Sequence, residues 1–185
     1  MTADETLAGK LLVASPALTD PNFKRTVVFI IRHDEEEGAF GLILNRPLSH
    51  ASVAEHLPGW AELSAPPPLI FSGGPVEPAV ALALGRFPEN AIDPGDAALP
   101  GVAIVNLAAD EPAPTLETVR VFSGYAGWSP GQLEQEVDES AWFIVDAFAA
   151  DIFSQEPGDL WRDVLKRQPG ALATFAYFPS DPRQN

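Results

Sequence analysis

Two apolar runs on either side of an acidic turn constrain this chain more than any other feature. Arg25-Thr26-Val27-Val28-Phe29-Ile30-Ile31-Arg32 is unbroken and β-branched, the pattern of a strand covered on both faces. Asp34-Glu35-Glu36-Glu37-Gly38 follows, four carboxylates that seek water and a glycine that permits a tight turn. Ala39 to Leu44 then returns as a second apolar run. Together they predict a hairpin with a five-residue connection. Gly41 inside the second strand predicts a bulge or a close backbone approach.

Further strands are expected at Lys10–Val13, Leu69–Phe71, Ala79–Leu84, Val102–Val105, Thr118–Phe122 and Trp142–Val145. Ser52 to Leu57 has room for one or two helical turns before Pro58-Gly59. Ser129-Pro130-Gly131-Gln132 has the form of a capping box with Pro at the first helical position. Behind it, Leu133 and Val137 share a face, and Glu134, Glu136, Asp138 and Glu139 are expected to face solvent. Asp159 is placed to cap a final helix, Leu160 to Gln168, striped by Trp161, Val164 and Leu165. Residues 87–101 read as irregular, and Ala171 to Phe178 as an extended apolar segment. Strands come first and helices late, without regular β-α alternation. The expected class is α+β: one domain over 9–185, with a dominant, largely antiparallel sheet flanked by a few short helices, after a disordered N-terminus at 1–8.

Charge narrows the partners. The chain has 185 residues and a formal net charge of −15. Duplex nucleic acid is gripped by Lys and Arg gathered on one face. Here residues 1–92 carry six bases against 11 acids, and residues 93–185 five against 15. Between Pro88 and Arg162 the single base is Arg120. Lys24, Arg25 and Arg46 are the one local concentration of cations. Direct nucleic-acid binding is not expected, and the same repulsion disfavours an anionic membrane surface. The longest apolar stretch is Val27 to Ile31, and Asp4 and Glu5 stand where a signal peptide would be basic. The expected location is cytoplasmic.

The chemistry-bearing motifs are few. Cysteine is absent, which removes thiol nucleophiles, disulfides and Cys-ligated metals. His33, His50 and His56 lack metal-ligand spacing, and no nucleophile elbow or phosphate-binding glycine fingerprint occurs. No cofactor or metal is expected. The richest stretch is Gly124-Tyr125-Ala126-Gly127-Trp128-Ser129-Pro130-Gly131-Gln132-Leu133-Glu134. Its glycines and aromatics either form a ligand-receptive helix entry or simply allow a tight strand-to-helix corner.

Five segments in order resemble the YqgE/AlgH family. They are Gly9-Lys10-Leu11-Leu12-Val13-Ala14-Ser15-Pro16, Asp20-Pro21-Asn22-Phe23, and Gly38-Ala39-Phe40-Gly41-Leu42-Ile43-Leu44-Asn45-Arg46-Pro47. Gly73-Gly74-Pro75-Val76 and Gly124–Trp128 with Gly131–Glu134 complete the set. The resemblance implies a compact α+β domain with a barrel-like sheet, soluble bacterial proteins of obscure function, and in some members a transcriptional-regulator label tied to alginate production. This chain departs from the family's pattern at Arg32-His33 and over Ala171–Phe178.

Two functions are therefore expected in turn. The first is a non-catalytic binding or regulatory module acting through a protein partner or small ligand. Its candidate binding residues are Asn45, Arg46, Gly73, Gly74, Pro75, Gly124, Tyr125, Gly127, Trp128, Gln132 and Glu134, in one cleft if their loops converge. The alternative is an enzyme holding a small anionic or nucleotide-like substrate on Arg46 and the Gly131–Leu133 amides, with His33 or Glu134 as acid–base. From charge alone, the purified chain is expected to show no salt-sensitive capture of duplex DNA in a titration followed by fluorescence anisotropy.

Overall fold

A computed structural model describes residues 6–93, 95–109 and 111–179. Ten strands form one curled sheet in the order β10-β1-β2-β3-β9-β6-β8-β7, with β4 and β5 joined beside β9. The strands are β1 Lys10–Ala14, β2 Val27–Asp34, β3 Gly38–Ile43, β4 Pro47–Ser52 and β5 Leu69–Ser72. β6 Val76–Arg86, β7 Ala97–Leu99, β8 Val102–Ile104, β9 Thr118–Trp128 and β10 Trp142–Asp146 complete them. Five short helices flank the sheet: α1 Val53–His56, α2 Gln132–Asp138, α3 Ala149–Ile152, α4 Leu160–Lys166 and α5 Leu172–Phe175. The strand pairs are antiparallel except β5 with β9. The α+β class expected from the order of elements, with the barrel-like curl that the family resemblance implies, is the observed fold.

The β2–β3 hairpin lies inside the sheet, and both of its faces are covered. Val27 and Phe29 pack with Trp161, Val164 and Leu165 of α4. Val28 and Ile30 pack on the opposite face with Leu133 of α2, Trp128 and Trp142. A third cluster, around Trp60, Val119 and Val121, covers the far half of the sheet. The hairpin connection is three residues rather than five, because Asp34 still pairs with Gly38. Asp34 Oδ1 accepts from the amides of Glu36 at 2.7 Å and Glu37 at 3.0 Å, closing the turn from inside. The bulge lies opposite Gly41, between Ile30 and Arg32, and a Cβ on Gly41 would stand 2.6 Å from the Phe29 carbonyl.

Several other boundaries differ from those the sequence predicts. Gly124 to Trp128 is not a corner but the second half of β9. Gly124, at φ +70°, switches the strand's phase. Phe122 faces the first core before it and Tyr125 after it, whereas Val121 and Ala126 face outward clusters. Ala171 to Phe178 contains the helical turn α5, because Gly170 at φ +69° lets the chain re-enter helix after α4. Ser129 does not cap α2 by its hydroxyl; half a capping box remains, its amide donating to Gln132 Oε1 at 3.0 Å. Asp159 precedes α4 without a side-chain cap bond. Within the expected disordered N-terminus, residues 1–5 lie outside the described residues. Leu7 is buried at 3% exposure.

Arg120 on β9 is buried at 1% exposure. All its N–H groups go to backbone carbonyls: Nε to Ile152 at 3.3 Å, Nη1 to Ala65 at 3.3 Å and Pro67 at 3.1 Å, Nη2 to Pro66 at 3.0 Å and Ser154 at 2.8 Å. Its guanidinium lies 4.3 Å over the Phe71 ring. Burial lowers its pKa to about 10, so it stays charged at neutral pH. Arg120→Ala strips donors from five carbonyls and is expected to cost at least about 3 kcal/mol in urea unfolding, with Arg120→Lys recovering only part. The Asp34 carboxyl is held below the usual range by its two turn amides. A depressed folded pKa adds stability above the unfolded carboxyl's pKa of about 3.9, lost as pH falls through the folded value. The stability gap between wild type and Asp34→Ala is therefore expected to close on acidification, read from urea melts across that window.

Candidate functional site

Two of the expected loops meet. A cleft of about 330 Å³ is lined by Asn45, Arg46, Pro47, Ser72, Gly74 and Pro75, with Pro21 and Asn22 across from them. The convergence has a steric origin in three strands that cross without room for side chains. A Cβ on Gly73 would lie 2.3 Å from the Gly124 carbonyl, and one on Gly74 would lie 2.2 Å from that of Tyr125. Backbone bonds lock the crossing: the Ile43 amide donates to Gly73, and the Gly73 amide to Ser123, each at 2.9 Å. The Ser72 amide donates to Arg46 at 2.8 Å. The close approach at Gly73 and Gly124 thus lets the loops touch, and Gly74 lines the cleft between them.

The polar groups around this cleft differ in freedom. Asn45 is structural. Its Oδ1 accepts from the Val27 amide at 3.0 Å and its Nδ2 donates to Arg25 at 2.9 Å, tying the loop to β2. Arg46 donates one Nη2 bond to the Lys24 carbonyl at 2.6 Å, and no carboxylate pairs with it among the described residues. Arg25 is directed elsewhere: it donates to the Phe178 carbonyl and lies 4.3 Å over Trp161. The three cations that stand close in sequence therefore do not form one patch.

The remaining candidates belong to a different neighbourhood. Tyr125 stacks 4.9 Å from Phe40 and donates to Glu77 Oε2 at 3.0 Å, which raises its pKa. Gly127 pairs with Phe40 along β3. Trp128 is buried, with its Nε1 donating to Glu136 Oε2 at 2.9 Å. The same oxygen accepts from Trp142 Nε1 at 2.8 Å, and Glu136 Oε1 from Gln132 Nε2 at 3.0 Å. Glu136, expected to face solvent, is instead the common acceptor of two indoles. The i,i+4 spacing of Gln132 and Glu136 was the available signal for this link.

His33 and Glu134 do meet, at 2.6 Å. His33 Nδ1 accepts from the Leu7 amide at 3.1 Å, so the ring proton sits on Nε2 and is donated to Glu134. Both ring nitrogens are engaged, and the His33 side chain is 7% exposed. His33 pairs with Ala39 at the turn end of the hairpin, while Ile43 stands at the Arg46 end. Four strand steps, on the order of 13 Å, separate those ends. Arg46 and the His33–Glu134 pair therefore stand at opposite ends of the hairpin, and only Arg46 lines the cleft. The helix entry at Gly131–Leu133 belongs to a helix of seven residues with Glu134 in its first turn, an unfavourable place for an anion.

Among the described residues no group of three His, Asp or Glu side chains is placed to hold a metal ion. His56 is engaged with the Ser52 carbonyl at 3.0 Å. No helix among them is long and apolar enough to cross a membrane.

The chain can now be compared with known proteins. A UPF0301 protein of Streptomyces avermitilis is 43% identical over 198 residues, covering 100% of this chain and 98% of its own. A UPF0301 protein of Thermobifida fusca is 45% identical over 192 residues, covering 97% and 96%. The crystal structure of protein DIP2367 from Corynebacterium diphtheriae superposes with a TM-score of 0.85 at 31% identity, over 96% of this chain and 95% of that one. The solution structure of the AlgH protein from Pseudomonas aeruginosa gives a TM-score of 0.66 at 29% identity, covering 97% of each. A family model described as AlgH-like matches residues 11–173, and the chain belongs to that family.

Proposed function

We propose that the protein is a non-catalytic binding or regulatory module of the cytoplasm, with a small anionic ligand held in the Arg46 cleft. The observation that carries this reading is Arg46 itself: a half-buried cation without a carboxylate partner among the described residues, in a chain of 26 acids and 11 bases. Five of the other bases, Lys10, Arg86, Arg162, Lys166 and Arg167, lie in ion pairs. A guanidinium with donors to spare and no carboxylate beside it, in a concave site, gives an external anion a charge-assisted partner against the repulsion of the rest of the chain.

Regulation then runs through that ligand or through a protein partner that senses it, rather than through DNA. Catalysis is the weaker reading, because His33 and Glu134 lie away from the cleft and both ring nitrogens of His33 are taken by hydrogen bonds. A thermal-shift screen of phosphorylated and carboxylated metabolites tests the proposal. A ligand at 100 times its Kd stabilises by about 2.7 kcal/mol. The shift is expected in the wild type and absent in Arg46→Ala. A hit whose shift survives that substitution would place the ligand elsewhere.

A further inference from the structure

A second concavity lies where the end of β1 meets β10 and α5. It measures about 630 Å³ and is walled by Pro16, Phe143, Phe175, Phe178 and Pro179, with Ser15 also in its lining. That size falls within the roughly 300–1,000 Å³ of small-molecule sites. Its aromatic wall is continuous: Phe143 stacks on Phe175 at 5.0 Å and 27°, and Phe175 lies 5.3 Å from Phe178. Phe178 is nevertheless 48% exposed, an apolar surface that folding leaves open.

Two polar features beside this cleft are incompletely compensated: one makes no hydrogen bond and the other has no carboxylate among the described residues. Ser15 is 5% exposed, and its Oγ is the one buried side-chain polar atom among the described residues that makes no hydrogen bond. A buried hydroxyl in that condition is costly unless something completes it. Arg25 stands beside it. The Ala14 amide donates to the Thr26 carbonyl at 3.0 Å, which sets Ser15 and Arg25 at the same end of the β1–β2 pair. Trp161 links them, its Nε1 donating to Ala14 at 2.9 Å while its ring carries the Arg25 guanidinium. Arg25 also donates to the carbonyl of Phe178 on the cleft wall. No carboxylate pairs with it among the described residues, and Arg162 is its charged neighbour.

We infer that this cleft binds a small apolar molecule carrying one carboxylate, the apolar body lying against Phe143, Phe175 and Phe178 and the head reached by Ser15 Oγ and Arg25. Lone serines and exposed phenylalanines are common; an aromatic trough ending beside an unfilled hydroxyl and a guanidinium without a carboxylate is a matched set. The inference is independent of the Arg46 cleft.

Decanoate is the probe, titrated by calorimetry against the wild type, Ser15→Ala, Arg25→Gln and Arg46→Ala. Saturable one-to-one binding is expected, weakened at least about fivefold by either Ser15→Ala or Arg25→Gln and unchanged by Arg46→Ala. Ser15→Ala has a second signature: with the orphan hydroxyl gone, the ligand-free protein is expected to melt no lower than wild type, which separates lost binding from lost folding. Arg25→Gln removes the charge together with the guanidinium's contact over Trp161, so its melting temperature is read beside its affinity, and lost affinity without lost folding is the expected result. No saturable binding, or affinities unmoved by both substitutions, would overturn the inference. So would a sedimentation coefficient that rises with protein concentration and falls back in Phe178→Ser, since a second copy would then be what covers the aromatic wall.

Discussion

The triproline approach to β5 creates a problem that Arg120 solves together with the Val53 amide, which donates to the Pro68 carbonyl. Pro66, Pro67 and Pro68 present carbonyls but no amide N–H, so the segment cannot satisfy itself or join a ladder. It nonetheless lies against the central strand, beside the turn at Ile152–Ser154. Arg120 reaches both places and supplies every donor it has. A carboxylate partner would have neutralised the charge but consumed donors that the carbonyls need. The carbonyl dipoles and the Phe71 face compensate the buried cation instead. The parallel pairing of β5 with β9, and with it the glycine crossing beside the Arg46 cleft, depends on this arrangement.

The fold was largely legible in the sequence because its centre is the hairpin, and a strand covered on both faces declares itself by composition. β1, β8 and β10 are short apolar runs of the same kind. What escaped was set by tertiary context. β4, Pro47–Ser52, is polar and half-exposed, held in strand form by β5 rather than by its own propensity. β9 runs on through Gly124 because a left-handed glycine serves a bulge as well as a turn. Arg120 was visible as the lone base in a 73-residue span between Pro88 and Arg162, but nothing local announces that such a residue faces inward.

The site was legible in part for an analogous reason. Paired glycines marked where backbones touch, and that contact is real at Gly73, Gly74 and Gly124. Trp128 and Gln132 carry the same signal but lie away from the cleft, among Phe23, Trp142 and Glu136, while Tyr125 turns to Phe40 and Glu77. Glycine spacing reports close packing; it does not report which side of a sheet the neighbouring side chains face. Glu136 shows the converse. A carboxylate on an apparently polar helix face is drawn in by two indole N–H groups that burial would otherwise leave unpaired.

Strand β1 sits between β2 and β10, with Lys10 opposite Asp146 and Ala14 opposite Trp142. On a ribosome, the first strand made therefore gains its second neighbour only after the tenth has emerged. Until then its outer edge of amides and carbonyls is open to any passing extended chain. In the native arrangement an early strand is thus covered by one made much later.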